Sequence, residues 1–525
     1  MNRIFFTTVI LFSVTFLNCY CQQKADYIID LEKKAETQFY NGEFKLAYAN
    51  YYKLWSRDST NIDYNYYLAV SNIEENINSK AALHNLMYVF ENDKSYDNLC
   101  FYLARAHMLS YQFTDAINLF NKFKTECNDR IRLSETERYI NSCNNAISLL
   151  NNPVNISFEN LGPAINSSKD DFTPFVTPDE STIIFTSNKK YDPDYDTFIE
   201  NIYVCVYENG KWQNGKNQSY INTGDNEYVM SVFNGGEKIF LCSHLDMEFS
   251  DILIAEKKGN TYKYDKNNDY MFNNLNTKNQ ENGASMTQDG ETIFLSSNRD
   301  GGIGGSDIYI MRKLPDGSWG KAENTGNTIN TESDEAFPNI SPDGGILYFA
   351  SKGHNSIGGY DLFVSYWNIT HQEWTTPINL GFPINTTDNN TTISFSGNKR
   401  YAYISANRNE GSGGMDIYRI TFEDADKEYT VFKSHILAGD SIQSKPFNPN
   451  SDDLTIDIFD SYGNLYGQYL PKRNSSDFIA ILPVGKFEIE INHPDYSPLI
   501  ETIEVLGKSD YKKELDKYFY ISPNN

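Results

Sequence analysis

Ser341-Pro-Asp-Gly-Gly-Ile-Leu-Tyr-Phe-Ala-Ser351 is one copy of a pattern that recurs through the middle of this 525-residue chain. Each copy centres on a short β-rich run, and the five runs occupy residues 182–187, 238–243, 292–297, 346–351 and 401–406. Their first residues are 56, 54, 54 and 55 positions apart. A unit of this size holds several short strands, and repetition of such units is typical of a β-propeller. The sequence therefore predicts a five-bladed propeller over residues 153–425.

Turns and glycine-rich loops punctuate these repeats. A turn of the form Thr/Ser-x-Asp-Gly/Glu precedes three of the runs, at residues 177–180, 287–290 and 341–344. In three repeats an aspartate follows the glycine-rich loop, 15 residues after the start of the run, and these are Asp307, Asp361 and Asp416. Carboxylates accept backbone N–H bonds in tight turns. We therefore interpret the three aspartates as structural.

The ends of the repeat array indicate how the ring closes. The later repeats carry an outer strand at residues 318–326 and 373–381, but the last repeat stops at Phe422 without one. A similar segment, residues 155–162, stands unassigned before the first repeat. An unpaired edge strand is a site of aggregation, which closure removes. We predict that residues 155–162 complete the final blade.

Residues 25–150 have apolar residues at helical spacing and contain no proline. Ala47, Ala81 and Ala116 are 34 and 35 residues apart, and small residues are needed where two helices cross closely. This period resembles that of the tetratricopeptide repeat, whose stacked helix pairs form a concave groove for a peptide or protein. The alternative is that the stack packs only on its neighbouring domain.

Residues 430–525 return to short alternating strands. Leu482-Pro-Val-Gly-Lys-Phe487, followed by His493-Pro-Asp-Tyr-Ser497, resembles the carboxypeptidase-regulatory-like β-sandwich. Asp495-Tyr496 stands where that family has Gly-Tyr. The resemblance implies a rigid spacer or adhesive module.

The central motif also resembles a known family. Residues 341–351, followed by Gly358-Gly-Tyr-Asp-Leu-Phe363, are similar to the WD40-like (PD40) repeat of TolB-type propellers and of envelope proteins of type IX-secreting bacteria. The order of the three blocks is similar to that in an outer-membrane-associated component of the type IX secretion system. That component continues into an OmpA-like domain, whereas this chain ends at Asn525. The resemblance therefore implies attachment to the envelope through a partner.

The first residues resemble a signal peptide. Arg3 precedes an apolar run, and Cys19-x-Cys21 satisfies the small-residue cleavage pattern, which gives a signal peptide over residues 1–21. Lipidation of Cys19 is the alternative, and would anchor the protein to a membrane. We expect an exported protein of the periplasm or the outer-membrane surface.

Composition excludes some partners. The chain has 45 basic and 70 acidic residues, a net charge of −25, which repels nucleic acid and anionic lipid. Five cysteines follow the predicted cleavage site, an odd number at irregular spacing that is no disulfide framework. Cys127 and Cys143 are the first pair to consider.

The sequence offers little catalytic chemistry. It lacks the Gly-x-Ser-x-Gly elbow of serine hydrolases, and we expect a protein that is not an enzyme. Asp192, Asp194 and Asp196 alternate as in a calcium loop, but Thr197 and Tyr203 replace the glycine and the bidentate glutamate. We favour a solvated acidic turn, with no cofactor and calcium as the alternative.

Basic side chains recur in the loops that follow the runs. These loops contain Asn298, Arg299 and Asp300, then Lys352 and His354, then Asn407 and Arg408. They follow the same strand in successive repeats, so they predict a partner-binding rim. Alternatively, each arginine pairs with a neighbouring acidic turn. The functional hypothesis is a non-enzymatic scaffold that binds envelope proteins through the helical groove and the propeller face; the alternative is a propeller that binds or processes glycans.

Overall fold

The computed structural model describes most of the chain beyond the predicted signal peptide. The described residues are 26–75, 77–193, 197–246, 249–264, 274–408, 410–423, 429–439, 444–447, 453–471, 477–506 and 514–524. Cys19, Asp194 and Asp196 lie outside them. The chain divides into two compact units, residues 1–151 and 152–525. No helix among the described residues combines the length and the apolar character needed to cross a bilayer.

The first unit is helical. Its described helices are α1 (26–40), α2 (Phe44–Trp55), α3 (Ile62–Glu74), α4 (Ser79–Asn92), α5 (Leu99–Leu109), α6 (Phe113–Glu126) and α7 (Arg130–Leu150). Successive helices from α2 to α7 pack on one another, and α3, α5 and α7 also contact in turn, so these alternate helices share one face. Asparagine and aspartate caps begin several helices: Asn61, Asn78 and Asp129 each accept a backbone N–H from the first turn.

The small-residue positions of this unit require one correction. Ala47 in α2 and Ala116 in α6 are fully buried, as the repeat pattern predicts. Ala81 is exposed, and the buried residue in α4 is Ala82. The reason is local: the Asn78 side chain accepts the Ala81 N–H at 3.0 Å, which places Ala81 in the first turn on the outer face of the helix. The period between buried alanines is then 35 and 34 residues.

Five antiparallel sheets form a β-propeller-like ring. Sheet I contains β2 (Asp171–Val176), β3 (Thr182–Asp192), β4 (Thr197–Glu208), β5 (Lys211–Trp212) and β6 (Lys216–Asn217), and sheet II contains β7 (Glu227–Phe233), β8 (Lys238–Asp246), β9 (Phe249–Lys258) and β10 (Thr261–Tyr264). Sheet III contains β11 (Glu281–Met286), β12 (Thr292–Ser297), β13 (Asp307–Arg312) and β14 (Glu323–Asn324), and sheet IV contains β15 (Glu335–Ile340), β16 (Ile346–Ser351), β17 (Asp361–Asn368), β18 (Glu373–Trp374) and β19 (Ile378–Asn379). Sheet V contains β20 (Ile393–Phe395), β21 (Tyr401–Ala406), β22 (Asp416–Phe422) and β1 (Ile156–Asn160). All five predicted runs are second strands of these sheets.

The predicted closure of the ring is confirmed. Strand β1 pairs antiparallel with β22, from Ile156 opposite Phe422 to Asn160 opposite Tyr418. The first strands also meet around the ring: β2 contacts β7, β7 contacts β11, β11 contacts β15, and β20 contacts β2. The Asn339 side chain of β15 donates to the Ile393 carbonyl of β20 at 2.9 Å, which joins the remaining pair.

A repeated asparagine clamp fastens each loop between two sheets to the sheet that the loop leaves. In each clamp the amide accepts a backbone N–H at 2.7 or 2.8 Å and donates to the carbonyl of the same residue at 2.8–3.0 Å. The five clamps are Asn166 on Ile417, Asn222 on Ile202, Asn276 on Ile252, Asn330 on Ile308, and Asn385 on Leu362. The first clamp fastens the loop between β1 and β2 to β22 of sheet V.

Apolar cores fill the five junctions between the sheets. Each buried cluster takes residues from two adjacent sheets. In one example, Phe294 of sheet III packs with Leu347 and Phe363 of sheet IV. The ring is therefore held by apolar burial at every junction and by directed hydrogen bonds in the loops between sheets.

A small β-sandwich completes the second unit. Its strands are β23 (Tyr429–Ala438), β24 (Lys445–Pro446), β25 (Thr455–Asp460), β26 (Leu465–Tyr469), β27 (Asp477–Pro483), β28 (Gly485–His493), β29 (Tyr496–Val505) and β30 (Glu514–Ile521). One sheet has the order β24-β23-β27, with β30 parallel to β23, and the other has the order β26-β25-β28-β29. One apolar core lies between them and includes Phe432, Ile456, Phe478 and Ile489.

The cysteines beyond the predicted cleavage site are free thiols. Cys100, Cys127, Cys143, Cys205 and Cys242 have no disulfide partner in the described structure. Cys127 and Cys143, the first pair considered from the sequence, are thus both reduced. Burial raises the pKa of the Cys143 thiol to about 12, so it behaves as an apolar core side chain.

Candidate partner-binding surfaces

The rim residues predicted from the sequence lie beyond the ends of β12, β16 and β21. Arg299 is the most buried of the cations among them. Its Nη2 donates to the Leu275 carbonyl at 2.9 Å and to Glu281 Oε1 at 3.2 Å, and its guanidinium lies 5.2 Å from the centre of the Tyr309 ring. The Arg299 side chain is 12% exposed and the Glu281 side chain is fully buried. Arg299 is therefore a part of the sheet III core.

The other two cations of the rim also have carboxylate partners. Lys352 Nζ lies 2.8 Å from Asp334 Oδ2, and Arg408 Nε lies 2.7 Å from Glu410 Oε1. The Arg408 guanidinium also stacks 4.0 Å from the centre of the Phe158 ring of β1. Both pairs form within one sheet or one loop. The alternative interpretation from the sequence was that each arginine pairs with a neighbouring acidic turn.

The remaining rim residues divide into buried and exposed. His354 Nε2 lies 2.9 Å from the Ile329 carbonyl, and burial lowers the pKa of this imidazole, so it carries no charge at neutral pH. Asn298, Asp300 and Asn407 are exposed. The polar groups that a partner can reach at this rim are thus mainly amides and carboxylates, and partner binding there stays a prediction.

The three aspartates of the glycine-rich loops each hold a turn. Asp307 accepts the backbone N–H groups of Ile303 and Gly304. Asp416 does the same for Ser412 and Gly413, at 2.6 and 3.1 Å, and Asp361 accepts from Ile357 at 2.9 Å. Each also accepts an amide N–H from an outer strand: Asn324 for Asp307, Asn379 for Asp361, and Asn160 for Asp416. The Asn160 bond links β1 to sheet V once more.

Sequence reasoning missed a second set of buried polar residues at the same end of the ring. The first strands begin at or near Asp171, Glu227, Glu281, Glu335 and Asn390. The four carboxylates are 0% exposed. Each side chain accepts the backbone N–H of a serine or threonine four residues earlier, and these are Ser167, Thr223, Thr277, Thr331 and Thr386. Their spacing equals the period of the runs, so a Ser/Thr-x-x-x-Glu/Asp/Asn pattern would have revealed them.

Burial changes the acidity of several of these carboxyl groups. Desolvation raises the pKa of Glu335 to about 7, although hydrogen bonds from Ser351 and Thr331 oppose the shift. Desolvation likewise raises the pKa of Glu227 to about 6 and that of Asp361 to about 7. This end of the ring therefore holds several carboxyl groups that gain protons near neutral pH.

The β-sandwich covers the opposite end of the ring. Gly397 shows how close the approach is: a Cβ at this position would lie 2.8 Å from Val431 Cγ2 and 3.1 Å from Ile481 Cγ1 of the sandwich. Lys433 Nζ lies 3.9 Å from Asp179 Oδ2 of a turn in sheet I. A cavity of about 130 Å³ remains between Ile481 and the inner strands.

An open groove of about 480 Å³ lies at the rim end, between sheets III and IV. Hydroxyl and amide side chains make up most of its lining, which includes Asn327, Thr328, Thr331 and Thr376. Ile303 supplies an apolar, 38% exposed side chain. His354 reaches the groove from the predicted rim.

The shared face of α3, α5 and α7 carries arginines among aromatic rings. Arg105 Nη1 lies 2.7 Å from Glu74 Oε1, and its guanidinium is 5.3 Å from the centre of the Tyr139 ring. Arg132 lies 5.0 Å from the centre of the Phe101 ring. Its side chain is 32% exposed and contacts Glu135 at 2.9 Å. Both arginines therefore have a carboxylate partner, and Arg132 is the more exposed of the two.

The calcium-like segment gives no described metal site. Asp192 ends β3 and lies opposite Thr197 of β4. No group of three or more His, Cys, Asp or Glu side chains among the described residues is arranged to hold a metal ion. Asp194 and Asp196 lie outside those residues.

Known proteins resemble this chain only at low identity. The sequence matches no protein-family model and no curated protein. Among solved structures it is similar to TolB from Acinetobacter baumannii, with 17% identity and a TM-score of 0.31, over 50% of this chain and 56% of that chain. It is also similar to a putative TolB from Agrobacterium tumefaciens (11% identity, TM-score 0.29, 62% of this chain and 97% of that chain) and to a glycoside hydrolase (10% identity, TM-score 0.35, 54% and 95%).

The chain thus spans just over half the length of the Acinetobacter protein. These TM-scores are below 0.5, and the propeller-like architecture rests on the strand pairing and the clamps described above. The chain is a multidomain protein with a helical unit, a propeller-like ring and a β-sandwich.

Proposed function

We propose that this protein is a non-enzymatic, protein-binding scaffold of the bacterial cell envelope. In this proposal the helical unit is a stack of tetratricopeptide-like repeats, the ring is a five-bladed propeller, and the sandwich is a carboxypeptidase-regulatory-like module that braces the ring. The helical groove and the open rim bind envelope proteins. The signal-like sequence before residue 22 supports export to the periplasm or to the outer-membrane surface, directly or through lipidation of Cys19.

The observation that carries this proposal is the composition of the α3–α5–α7 face. Tyrosine and arginine dominate the energetic centres of protein interfaces because they combine large apolar area with directed hydrogen bonds. Arg105, Arg132, Tyr102 and Tyr139 lie together on this face. The Arg105 side chain is 14% exposed and Tyr102 is 7% exposed, so Arg132, at 32%, is the cation of this group that an acidic partner can contact.

The ring contributes rigidity to this function. Its repeated asparagines and carboxylates accept and donate hydrogen bonds to backbone groups. These repeated polar residues therefore have a structural role. A link to type IX secretion or outer-membrane assembly follows from the resemblance of the domain order, and it is part of the proposal.

The test compares the partners that the protein retains from envelope extracts. Arg132→Gln removes a partly exposed charge from the helical face, and Arg312→Gln is the matched control on the outside of sheet III, where the side chain is 55% exposed. We expect wild type and control to retain the same envelope proteins, quantified by mass spectrometry, and Arg132→Gln to retain several-fold less of at least one of them. Equal retention by all three correctly folded proteins would remove the helical face from the proposal.

A second candidate, glycan binding, is favoured by the groove beside Thr328 and Thr376. Its amide and hydroxyl lining suits the hydroxyl groups of a sugar better than a charged ligand. The measurement is calorimetric titration with envelope oligosaccharides, with Thr328→Val as the variant. Binding that Thr328→Val abolishes would favour this candidate; heat changes identical in variant and wild type would eliminate it.

A further inference from the structure

A cavity of about 130 Å³ lies at the end of the ring that the β-sandwich covers. Every sheet of the ring contributes apolar side chains to its wall, and Ile481 of β27 contributes from the sandwich. The apolar side chains of the ring include Phe175, Val232, Met286, Ile340 and Phe395, one from each sheet in chain order. A cavity that all five sheets border lies on the axis of the ring, and we call it the axial cavity.

Polar side chains in the wall of the axial cavity are already engaged within the protein. Ser394 Oγ accepts the Val176 N–H at 2.9 Å, and the Asn339 amide donates to the Ile393 carbonyl at 2.9 Å. The cavity therefore offers mainly apolar surface, against which burial of an apolar group is favourable. An apolar cavity of about 150 Å³ can bind benzene. The axial cavity is thus large enough for a short alkyl chain.

A larger cavity of about 350 Å³ continues from the axial cavity. The wall residues that the two share include Pro178, Gln288, Pro342 and Ile481. This outer cavity lies between turns of the ring and strands β26 and β27 of the sandwich. Small-molecule sites occur preferentially at such boundaries between domains, with volumes of about 300–1,000 Å³. The two cavities together form a cleft of suitable size with an apolar inner end.

The outer cavity has polar groups that favour a hydrogen-bond donor. Asp289 and Asp343 line it, and both residues are exposed. Each holds its own turn through Oδ1, and a carboxylate has about four acceptor sites, so each can accept further bonds. Lys399 and Glu291 also line this cavity, but Glu291 pairs with Lys313 at 3.2 Å. The outer cavity therefore suits hydroxyl groups and disfavours an anion.

We propose that this cleft binds a small, uncharged, single-chain amphipathic molecule. Its alkyl chain enters the axial cavity and is buried against side chains of all five sheets and of Ile481, which supplies most of the affinity. Its hydroxyl groups stay in the outer cavity and donate to the carboxylates of Asp289 and Asp343. The ligand thus bridges the ring and the sandwich, which are otherwise in contact around the cleft.

This cleft is separate from the helical face and the rim, so its test can fail without affecting the proposed function. The probes are the butyl, pentyl and hexyl monoethers of glycerol, with hexyl sulfate as the anionic probe of matched chain length. Binding to the full-length protein is measured by isothermal titration calorimetry. We expect saturable binding whose affinity rises about fourfold with each added methylene group. Hexyl sulfate should bind roughly tenfold more weakly than the hexyl ether.

Two variants locate the ligand within the cleft. Val232→Phe fills the axial cavity and should weaken binding of the hexyl ether by roughly tenfold or more. Val484→Phe is the matched control, because Val484 is 50% exposed and lines neither cavity. The double variant Asp289→Asn/Asp343→Asn keeps an oxygen acceptor for each turn but removes two charges. It should strengthen binding of hexyl sulfate several-fold.

Each remaining result would overturn the proposal. Affinity that does not depend on chain length would exclude burial of the alkyl chain, and this comparison uses the wild-type protein, so it holds even if Val232→Phe does not fold. Unchanged binding to folded Val232→Phe, or an equal loss in Val484→Phe, would place the ligand elsewhere. Equal binding of hexyl sulfate and the hexyl ether would exclude recognition by the carboxylates. Arg132→Gln should leave binding unaltered, which separates this cleft from the helical face.

Discussion

The ring and the helical unit are both built from repeats, but their repeats are held together in different ways. In the ring the same asparagine clamp recurs in all five loops between sheets, and each clamp binds the backbone of the sheet that its loop leaves. In the helical unit the polar links between helices are individual: Trp55 Nε1 donates to Asn65 Oδ1, and Arg105 pairs with Glu74. A bond to backbone can recur whatever the neighbouring side chains are, whereas a bond between side chains needs both partners.

This difference predicts where substitutions act most strongly. In the ring, a polar residue at a repeat position supports a buried group of the neighbouring strand, so its loss leaves that group without a partner. In the helical unit, packing of small residues decides which face is buried. The four predictions below test this contrast, from the largest expected effect to the smallest.

Arg299→Met should destabilise the ring the most. The substitution removes the cation beside Glu281, which is fully buried, and breaking a buried ion pair typically costs about 3–5 kcal/mol. Urea unfolding followed by tryptophan fluorescence measures the loss in the ring, which contains Trp212, Trp319, Trp367 and Trp374. Arg312→Met, at a surface pair of 3.4 Å, should cost less than about 1 kcal/mol. Equal losses for the two variants would contradict the role of Arg299 in the core.

Asn330→Ala should cost roughly 3 kcal/mol, because the Ile308 backbone N–H loses its partner and the bond to the Asn324 side chain is lost, although the Ile308 carbonyl keeps its hydrogen bonds from Thr325. The comparison in the helical unit is Asn61→Ala, which removes a helix cap and should cost about 1 kcal/mol. Circular dichroism at helical wavelengths follows Asn61→Ala, and tryptophan fluorescence follows Asn330→Ala. If the clamp variant is no less stable than the cap variant, the clamps do not hold the ring.

Ionisation of Glu335 should lower the free energy of unfolding of the ring as the pH rises. Burial raises its pKa to about 7 from an ordinary value of 4.5, so the folded state holds the proton more tightly than the unfolded state. The contribution is complete below about pH 4.5 and is lost as the pH rises through 7, which amounts to roughly 3 kcal/mol. Asp307 adds to the shift through its charge.

The measurement for Glu335 is the free energy of unfolding at a series of pH values. Glu335→Gln should flatten its dependence between pH 5 and 8 relative to wild type. Glu323→Gln, at an exposed position in sheet III, is the control and should leave the profile unchanged. Parallel profiles for wild type and Glu335→Gln would show that this group ionises normally.

Ala82→Leu should destabilise the helical unit by about 1–2 kcal/mol, since Ala82 is fully buried and a larger side chain overpacks its contact. Ala81→Leu should change stability by less than about 0.5 kcal/mol, because Ala81 is exposed. Thermal unfolding by circular dichroism distinguishes the two. The reverse order would restore Ala81 as the repeat position.

The spacing of the five runs predicted most of the strands of the ring, but it did not predict the polar contacts between them. The strands are visible in the sequence as alternating residues, the turns as turn-forming residues, and the closing strand as a segment missing from the repeat period. The clamps were missed although Asn166, Asn222, Asn276, Asn330 and Asn385 recur at the same period. A polar residue in a loop is ordinarily interpreted as solvated, and its backbone partner lies on a strand at least 20 residues away in the sequence.

The rim shows a second limit. Arg299, Lys352 and Arg408 were correctly assigned to one set of loops, yet each has a carboxylate partner within its own sheet or loop. Whether a cation faces solvent or a buried carboxylate depends on side-chain geometry, which cannot be predicted from the spacing of residues along the sequence. The prediction for Ala81 was wrong for a similar reason, because a step of one residue along a helix rotates the direction of the side chain by 100°.

By itself, the sequence determined the repeat period, the five runs, the closing strand and the division into helical, ring and sandwich blocks, because these properties follow from local backbone preference and from periodicity. Only the tertiary structure decided which polar groups are buried, which cations are already paired, and that the sandwich covers one end of the ring. These properties depend on contacts between residues that are far apart along the chain.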